Sequence, residues 1–150
     1  MQHPSIKNSN RISFQDVVAF FLIVLFIYTA VSKLLDFSQF QKQMELQTLP
    51  AWLQLVLIWS LPTIEIITGL LLMFIRTRMV GFYLSALLLI IFTGYIALVL
   101  LNYFGRVPCS CGGVIRTLGW GLHLIFNVFF LLLSFLGIYL INRERRIDWH

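Results

Sequence analysis

A chain of 150 residues in which 59% are hydrophobic and only 11% are charged has the composition of a membrane protein, since a soluble domain carries about 25% charged residues. The net charge of +5 does not indicate nucleic-acid binding, because the basic residues stand at the ends of apolar runs, where they determine topology. The sequence contains no glycine-rich phosphate loop, serine-nucleophile motif or metalloprotease signature.

The first apolar run follows a polar N-terminal tail, residues 1–16, which predicts a disordered or interfacial segment. Residues 17–35 contain no charge before Lys33. A run of this length crosses a hydrocarbon core of about 30 Å, because an α-helix rises about 1.5 Å per residue. We therefore expect the first transmembrane helix over residues 17–35.

The next segment, residues 36–50, is amphipathic. Phe37, Phe40 and Met44 recur at helical spacing, and polar residues occupy most of the positions between them. This pattern predicts a short helix on the membrane surface, with its apolar face towards the lipid, between the first two spans. A helix that binds a partner protein is the alternative.

The second span is predicted over residues 52–74, with a kink at Pro62. It places Glu65 near the bilayer midplane, where a charge costs roughly 2.5 to 3.5 kcal/mol on insertion scales, so Glu65 must face protein, water or a ligand. Pro62, Glu65, Gly69 and Met73 share one face, which would let another helix or a flat ligand approach. A structural hydrogen bond and a functional role both remain open for Glu65.

The third span is predicted over residues 80–101, after a basic turn. Its small or polar side chains are typical of helix–helix packing and do not suggest a catalytic role. They are Ser85, Thr93, Gly94 and Tyr95.

The fourth span is predicted over residues 118–141, and a basic tail follows at 143–150. Side chains at alternating steps of three and four share one face of this helix. A lone intramembrane histidine is more often structural than catalytic, but His123 lies two to three turns beyond Cys111 and could influence a thiolate. The residues of this face are Trp120, His123, Asn127, Phe130 and Ser134.

Both cysteines lie in the loop between the third and fourth spans, as Cys109-Ser110-Cys111-Gly112-Gly113. A disulfide across one intervening residue closes a small strained ring, and strain makes such a bond labile. This favours a redox-active dithiol. Inert thiols packed as small hydrophobes are an alternative, and a metal site ranks last because no second Cys pair or His cluster completes it.

The distribution of basic residues predicts the orientation. Seven Lys and Arg lie on the side of the two termini and four on the side of the cysteines. By the positive-inside rule, both termini are expected in the cytoplasm. Cys109 and Cys111 would then face the periplasm or an equivalent oxidising space.

With these elements placed, the chain resembles the DoxX/MauE-like family of small four-helix membrane proteins, the MauE branch (methylamine utilisation) most closely. The resemblance covers about residues 14–142 and departs from the family pattern at Gly112, where an aromatic residue is common. It implies disulfide handling of exported proteins, or a membrane subunit of a quinone-linked redox system. The matching motifs are Ser32-Lys33-Leu34-Leu35-Asp36-Phe37, Leu61-Pro62-Thr63-Ile64-Glu65 followed by Gly69, and the Cys109–Gly113 loop.

The sequence thus predicts an all-α membrane protein: a bundle of four transmembrane helices with a short interfacial helix between the first two. The favoured function is thiol:disulfide exchange by Cys109 and Cys111 in the cytoplasmic (inner) membrane, with an exported thioredoxin-like partner. By analogy with the family, a quinone near the intramembrane polar residues would accept electrons. Two rivals stay open: a non-catalytic subunit or assembly factor with a structural disulfide, and a small-molecule binder using the Glu65 pocket. The supporting intramembrane residues are Lys33, Glu65, His123 and Asn127.

Overall fold

The structure, a computed structural model, describes residues 13–47, 49–103 and 120–147. Within these ranges every regular element is a helix, and four of the helices are long and apolar enough to cross a membrane. The predicted fold class is therefore confirmed: four apolar spans with a short helix between the first two. The helices are α1 Phe14–Leu35, α2 Phe37–Glu45, α3 Ala51–Met73, α4 Arg78–Leu100 and α5 Trp120–Ile147.

Two helices extend past their predicted apolar spans into polar sequence. α1 begins at Phe14 and is capped by Ser13. The Asp16 carboxylate accepts a hydrogen bond of 2.9 Å from the backbone N–H of Ser13, so this N–H group at the helix start has a partner. α5 continues to Ile147 through the basic segment that follows position 142. Arginine and glutamate are good helix formers, so the helix need not end where the apolar run ends.

The helices alternate in direction, which gives the bundle two distinct ends. α1 packs most extensively against α3, and α4 against α5. The closed end is defined by the starts of α1 and α4 and the turn 74–77 between α3 and α4. The cavity end is defined by the end of α1, by α2, by the end of α4 and by the start of α5.

Close packing at the closed end depends on two glycines. A Cβ at Gly137 of α5 would overlap the ring of Phe82, which is fully buried on α4. A Cβ at Gly81 of α4 would lie 2.9 Å from the backbone nitrogen of Leu72 on α3. Small residues let helix backbones approach where side chains would hold them apart. The helices consequently meet most tightly at this end.

The apolar face of α2 has a different partner from the one predicted. Phe40 and Met44 are buried against Ile58 of α3, and the ring of Phe37 lies 5.1 Å from that of Trp59. The spacing of the apolar residues thus forms a face as expected. That face is covered by α3 instead of pointing into lipid, because a short connection folds α2 back onto the helix that follows it.

Candidate functional site

A salt bridge joins α1 to α3 inside the protein. The Lys33 ammonium donates to both carboxylate oxygens of Glu65, at 2.6 and 2.9 Å. The side chains are only 12% and 3% exposed, respectively. Glu65 thus faces protein, as the cost of a charge in lipid requires, and its partner lies 32 residues away in the chain.

The face of α3 that carries Glu65 is buried over most of its predicted length. Pro62, Glu65 and Gly69 are buried. A Cβ at Gly69 would come within 2.7 Å of the Ile27 side chain of α1, so the absence of a side chain there lets α1 approach. Met73, expected on the same face, is 53% exposed because α3 ends at this residue.

The polar face predicted for α5 is also present. Asn127, Phe130 and Ser134 are buried and His123 is half-buried, whereas the side chain of Trp120 lies outside the described part. The Ser134 hydroxyl donates to the Phe130 carbonyl oxygen at 3.1 Å. In contrast, Nδ2 of Asn127 and Nδ1 of His123 have no hydrogen-bond partner among the described residues. Buried polar atoms are rarely left in this state.

These residues meet at one cavity of about 490 Å³, lined by Lys33, Glu65, His123 and Asn127 among others. This volume lies within the range of about 300–1,000 Å³ that is usual for small-molecule sites. All four apolar helices and α2 contribute to the lining, which is largely apolar. Its aromatic members are Phe26, Tyr28, Phe40, Phe92, Tyr95 and Phe126.

The cavity is partly open and is bordered by exposed side chains. Tyr28 of α1 and Ile91 of α4 line it and are 45% and 57% exposed. Both belong to helices long and apolar enough to span the membrane. The cavity thus borders two helices that would lie in the hydrocarbon phase.

Two lining residues were not anticipated from the sequence as parts of a site. The Tyr95 hydroxyl donates to Oε1 of Gln47 at 2.5 Å, which ties α4 to the segment between α2 and α3. The Gln54 amide donates to the carbonyl oxygens of Gln47 and Leu49 at 3.0 and 2.9 Å. A tyrosine in an apolar span is the one signal that could have indicated this contact, since a buried hydroxyl usually finds a partner.

Cys109 and Cys111 lie outside the described residues. The segment that contains them leaves the described chain after Tyr103 and re-enters it at Trp120. Both anchor points belong to the cavity end. His123 is three residues beyond the second anchor, about one helical turn into α5.

The described ranges contain no group of three or more His, Cys, Asp and Glu side chains that could hold a metal ion. The cavity presents hydrogen-bonding groups and one internal salt bridge. Its chemistry suits an organic ligand.

A family model described as methylamine utilisation protein MauE matches residues 12–140. The match includes three of the four apolar helices and most of α5, together with the salt bridge, the polar face of α5 and the segment with both cysteines. Comparison with curated proteins and with solved structures finds no match.

Proposed function

The chain belongs to the MauE family, membrane proteins of methylamine utilisation, and we propose that it is a membrane thiol:disulfide redox protein. Cys109 and Cys111 cycle between dithiol and disulfide. A thiolate of the partner attacks the Cys109–Cys111 disulfide, and the partner's second thiol resolves the mixed disulfide, which leaves the partner oxidised and the pair as a dithiol. The closely spaced pair in a glycine-rich segment supports this role, since a strained bond is readily reduced.

The observation that carries the proposal is the position of the ligand-sized cavity. It lies at the end of the bundle to which the cysteine segment is anchored, and two of its polar atoms lack partners among the described residues. A protein that only fixed an outer loop by a disulfide would not need such a cavity. A redox protein that exchanges electrons with a molecule in the membrane would.

A quinone fits the chemistry of the cavity. Oxidation of a dithiol to a disulfide releases two electrons and two protons, the number that converts a quinone to a hydroquinone. The side chains that would hold it are Asn127 and His123, which line the cavity and each carry a buried atom without a partner among the described residues. The apolar and aromatic remainder of the lining would cover the ring and the start of an apolar tail.

The proposed partner is an exported thioredoxin-like protein, and this requires the cysteines to face the periplasm. The basic residues support that orientation, seven against four. The asymmetry is sharper once Lys33 is set aside, because its charge is held by Glu65 inside the bundle. Both termini then lie in the cytoplasm.

The proposal is tested by trapping. Cys109→Ala or Cys111→Ala, expressed in cells, should accumulate a mixed disulfide with an exported thiol protein on a non-reducing gel, because the second cysteine that could release the remaining one from the partner is missing. The double variant should trap nothing. A membrane-impermeant maleimide applied to the same cells after reduction should label the remaining cysteine without lysis.

Two results would contradict the proposal. If neither single variant captures a partner and both retain full function in cells, the protein is a non-catalytic subunit or assembly factor. Labelling only after lysis would place the cysteines in the cytoplasm and remove the exported partner.

A further inference from the structure

We infer that the cavity recognises the head group of an uncharged, lipid-soluble carbonyl compound, with Asn127 as the hydrogen-bond donor and His123 beside it. Within the proposed function, on which the identity of the ligand rests, this compound is the quinone. The inference assigns the residues that bind the head group and the side of the protein from which the ligand enters.

The charge of the site argues for a neutral ligand. Among the described residues, Lys33 and Glu65 are the charged side chains of the lining, and each satisfies the other: both carboxylate oxygens accept from one ammonium group. An anionic ligand would have to compete with Glu65 for Lys33, and a cationic ligand with Lys33 for Glu65. A neutral ligand leaves the salt bridge intact and avoids exposing a buried charge.

The unpartnered atoms argue for a carbonyl group. Asn127 is 6% exposed, and its Nδ2 can only donate. An amide N–H buried without an acceptor is costly, so a ligand that brings an oxygen acceptor is favoured at this point. His123 stands one turn before Asn127 on the same face, and its Nδ1 also lacks a partner. As an imidazole it can accept from a hydroxyl or donate to a carbonyl, and both occur in the quinone–hydroquinone couple.

The walls argue for entry from the bilayer. Gln47, which lines the cavity, accepts from the Tyr95 hydroxyl and, through its carbonyl oxygen, from the Gln54 amide. Tyr28 and Ile91 also line the cavity and are exposed side chains of two helices long and apolar enough to span the membrane. A ligand dissolved in the membrane can thus place its head at Asn127 and leave its tail in the lipid.

The experiment measures binding of decylubiquinone to the purified full chain in nanodiscs, in the Cys109→Ala/Cys111→Ala background. We expect saturable binding there, since Asn127 and His123, the groups assigned to the ligand, are retained. Asn127→Leu should weaken it about ten-fold, the usual effect of losing one hydrogen bond. The melting temperature of this variant should be equal or higher, because a buried unpartnered amide has been removed. Decylbenzene, which has a similar tail and no carbonyl, should not compete.

Ser134→Ala is the matched control. Ser134 is fully buried on the same face of α5, bonds within its own helix and does not line the cavity. It should leave decylubiquinone binding unchanged. If Asn127→Leu instead lowers the melting temperature and leaves binding unchanged, Asn127 is a structural residue and the inference is wrong.

A second pair of variants keeps the test independent of Asn127. Ser60→Trp fills the cavity from α3 and should abolish binding, whereas Thr63→Trp, exposed on the same helix, should not. Equal binding in both would place the quinone elsewhere and overturn the inference. Successful cysteine trapping without decylubiquinone binding would refute the inference and still support thiol exchange. Decylubiquinone binding without trapping would support the ligand site and contradict thiol exchange.

Discussion

Two salt bridges tie α1 to its neighbours, one at each end of the bundle, and they differ in their surroundings. At the closed end Arg78 contacts Asp16 at 2.6 Å, and at the cavity end Lys33 contacts Glu65 at the same distance. Asp16 is 43% exposed, whereas Glu65 is 3% exposed. The cations are similarly buried, with Arg78 13% and Lys33 12% exposed, so the two pairs differ in the carboxylate: that of Asp16 meets water and that of Glu65 does not.

The hydrogen bonds around the two salt bridges also differ between the two ends of the bundle. At the closed end Asp16 also accepts from Ser13, and Arg78 donates to the Leu72 carbonyl oxygen at 3.2 Å. At the cavity end, hydrogen-bonding atoms of His123 and Asn127 lack partners among the described residues. At the closed end Nε2 of the buried Gln15 also lacks a partner among the described residues, but Gln15 does not line the cavity. His123 and Asn127 do line it, and polar groups beside open space are the arrangement of a binding site.

The largest effect should come from breaking the buried pair. Lys33→Met leaves Glu65 as an uncompensated buried carboxylate, and such a break costs about 3–5 kcal/mol. We expect the free energy of unfolding in detergent to fall by this order, measured by denaturant titration followed by circular dichroism. The double variant Lys33→Met/Glu65→Leu should recover most of the loss, since no charge is left unpaired. A loss below about 1 kcal/mol in Lys33→Met would show that the pair is effectively solvated.

An intermediate effect should come from the packing of the closed end. Gly137→Ala forces a methyl group against the buried Phe82 ring, and overpacking of this kind costs about 1–3 kcal/mol. Gly94→Ala is the control, because a Cβ there meets no atom within 4 Å of the described structure. Thermal denaturation of both variants compares the two sites. Equal stability of Gly137→Ala and Gly94→Ala would mean that α4 and α5 are not closely packed at this point.

The smallest effect should come from the pair at the closed end, because its carboxylate is exposed. Asp16→Asn retains an oxygen that can accept from Ser13 but removes the charge that faces Arg78. We expect a loss of at most about 1 kcal/mol, and one that shrinks at high salt because an exposed charge is screened. Unfolding measured at low and high sodium chloride concentration checks both points. A larger loss that salt does not change would make the two ends equivalent, and the contrast between them would fail.

The sequence alone determined the spans and the helix faces. Both depend on local properties: the length of an apolar run, and the 3.6-residue period that brings Asn127, Phe130 and Ser134 to one side of α5. The cost of a charge in lipid also required Glu65 to be buried in protein. The redox role of Cys109 and Cys111 was argued from the chemistry of closely spaced thiols and stays a prediction, because these residues lie outside the described part of the chain.

Only the tertiary structure decided which polar residues share a site. Lys33 and Glu65 belong to different helices, and Gln47 and Tyr95 also lie in different segments. The periodicity of a single helix cannot relate residues that are so far apart in the chain. The partner of α2 was decided in the same way. Amphipathic spacing shows that one face of α2 must be buried, but either α3 or lipid could bury it. The cavity also depends on the packing of whole helices. Helices that are in close contact at glycines near one end need not be in contact at the other end, where the cavity lies.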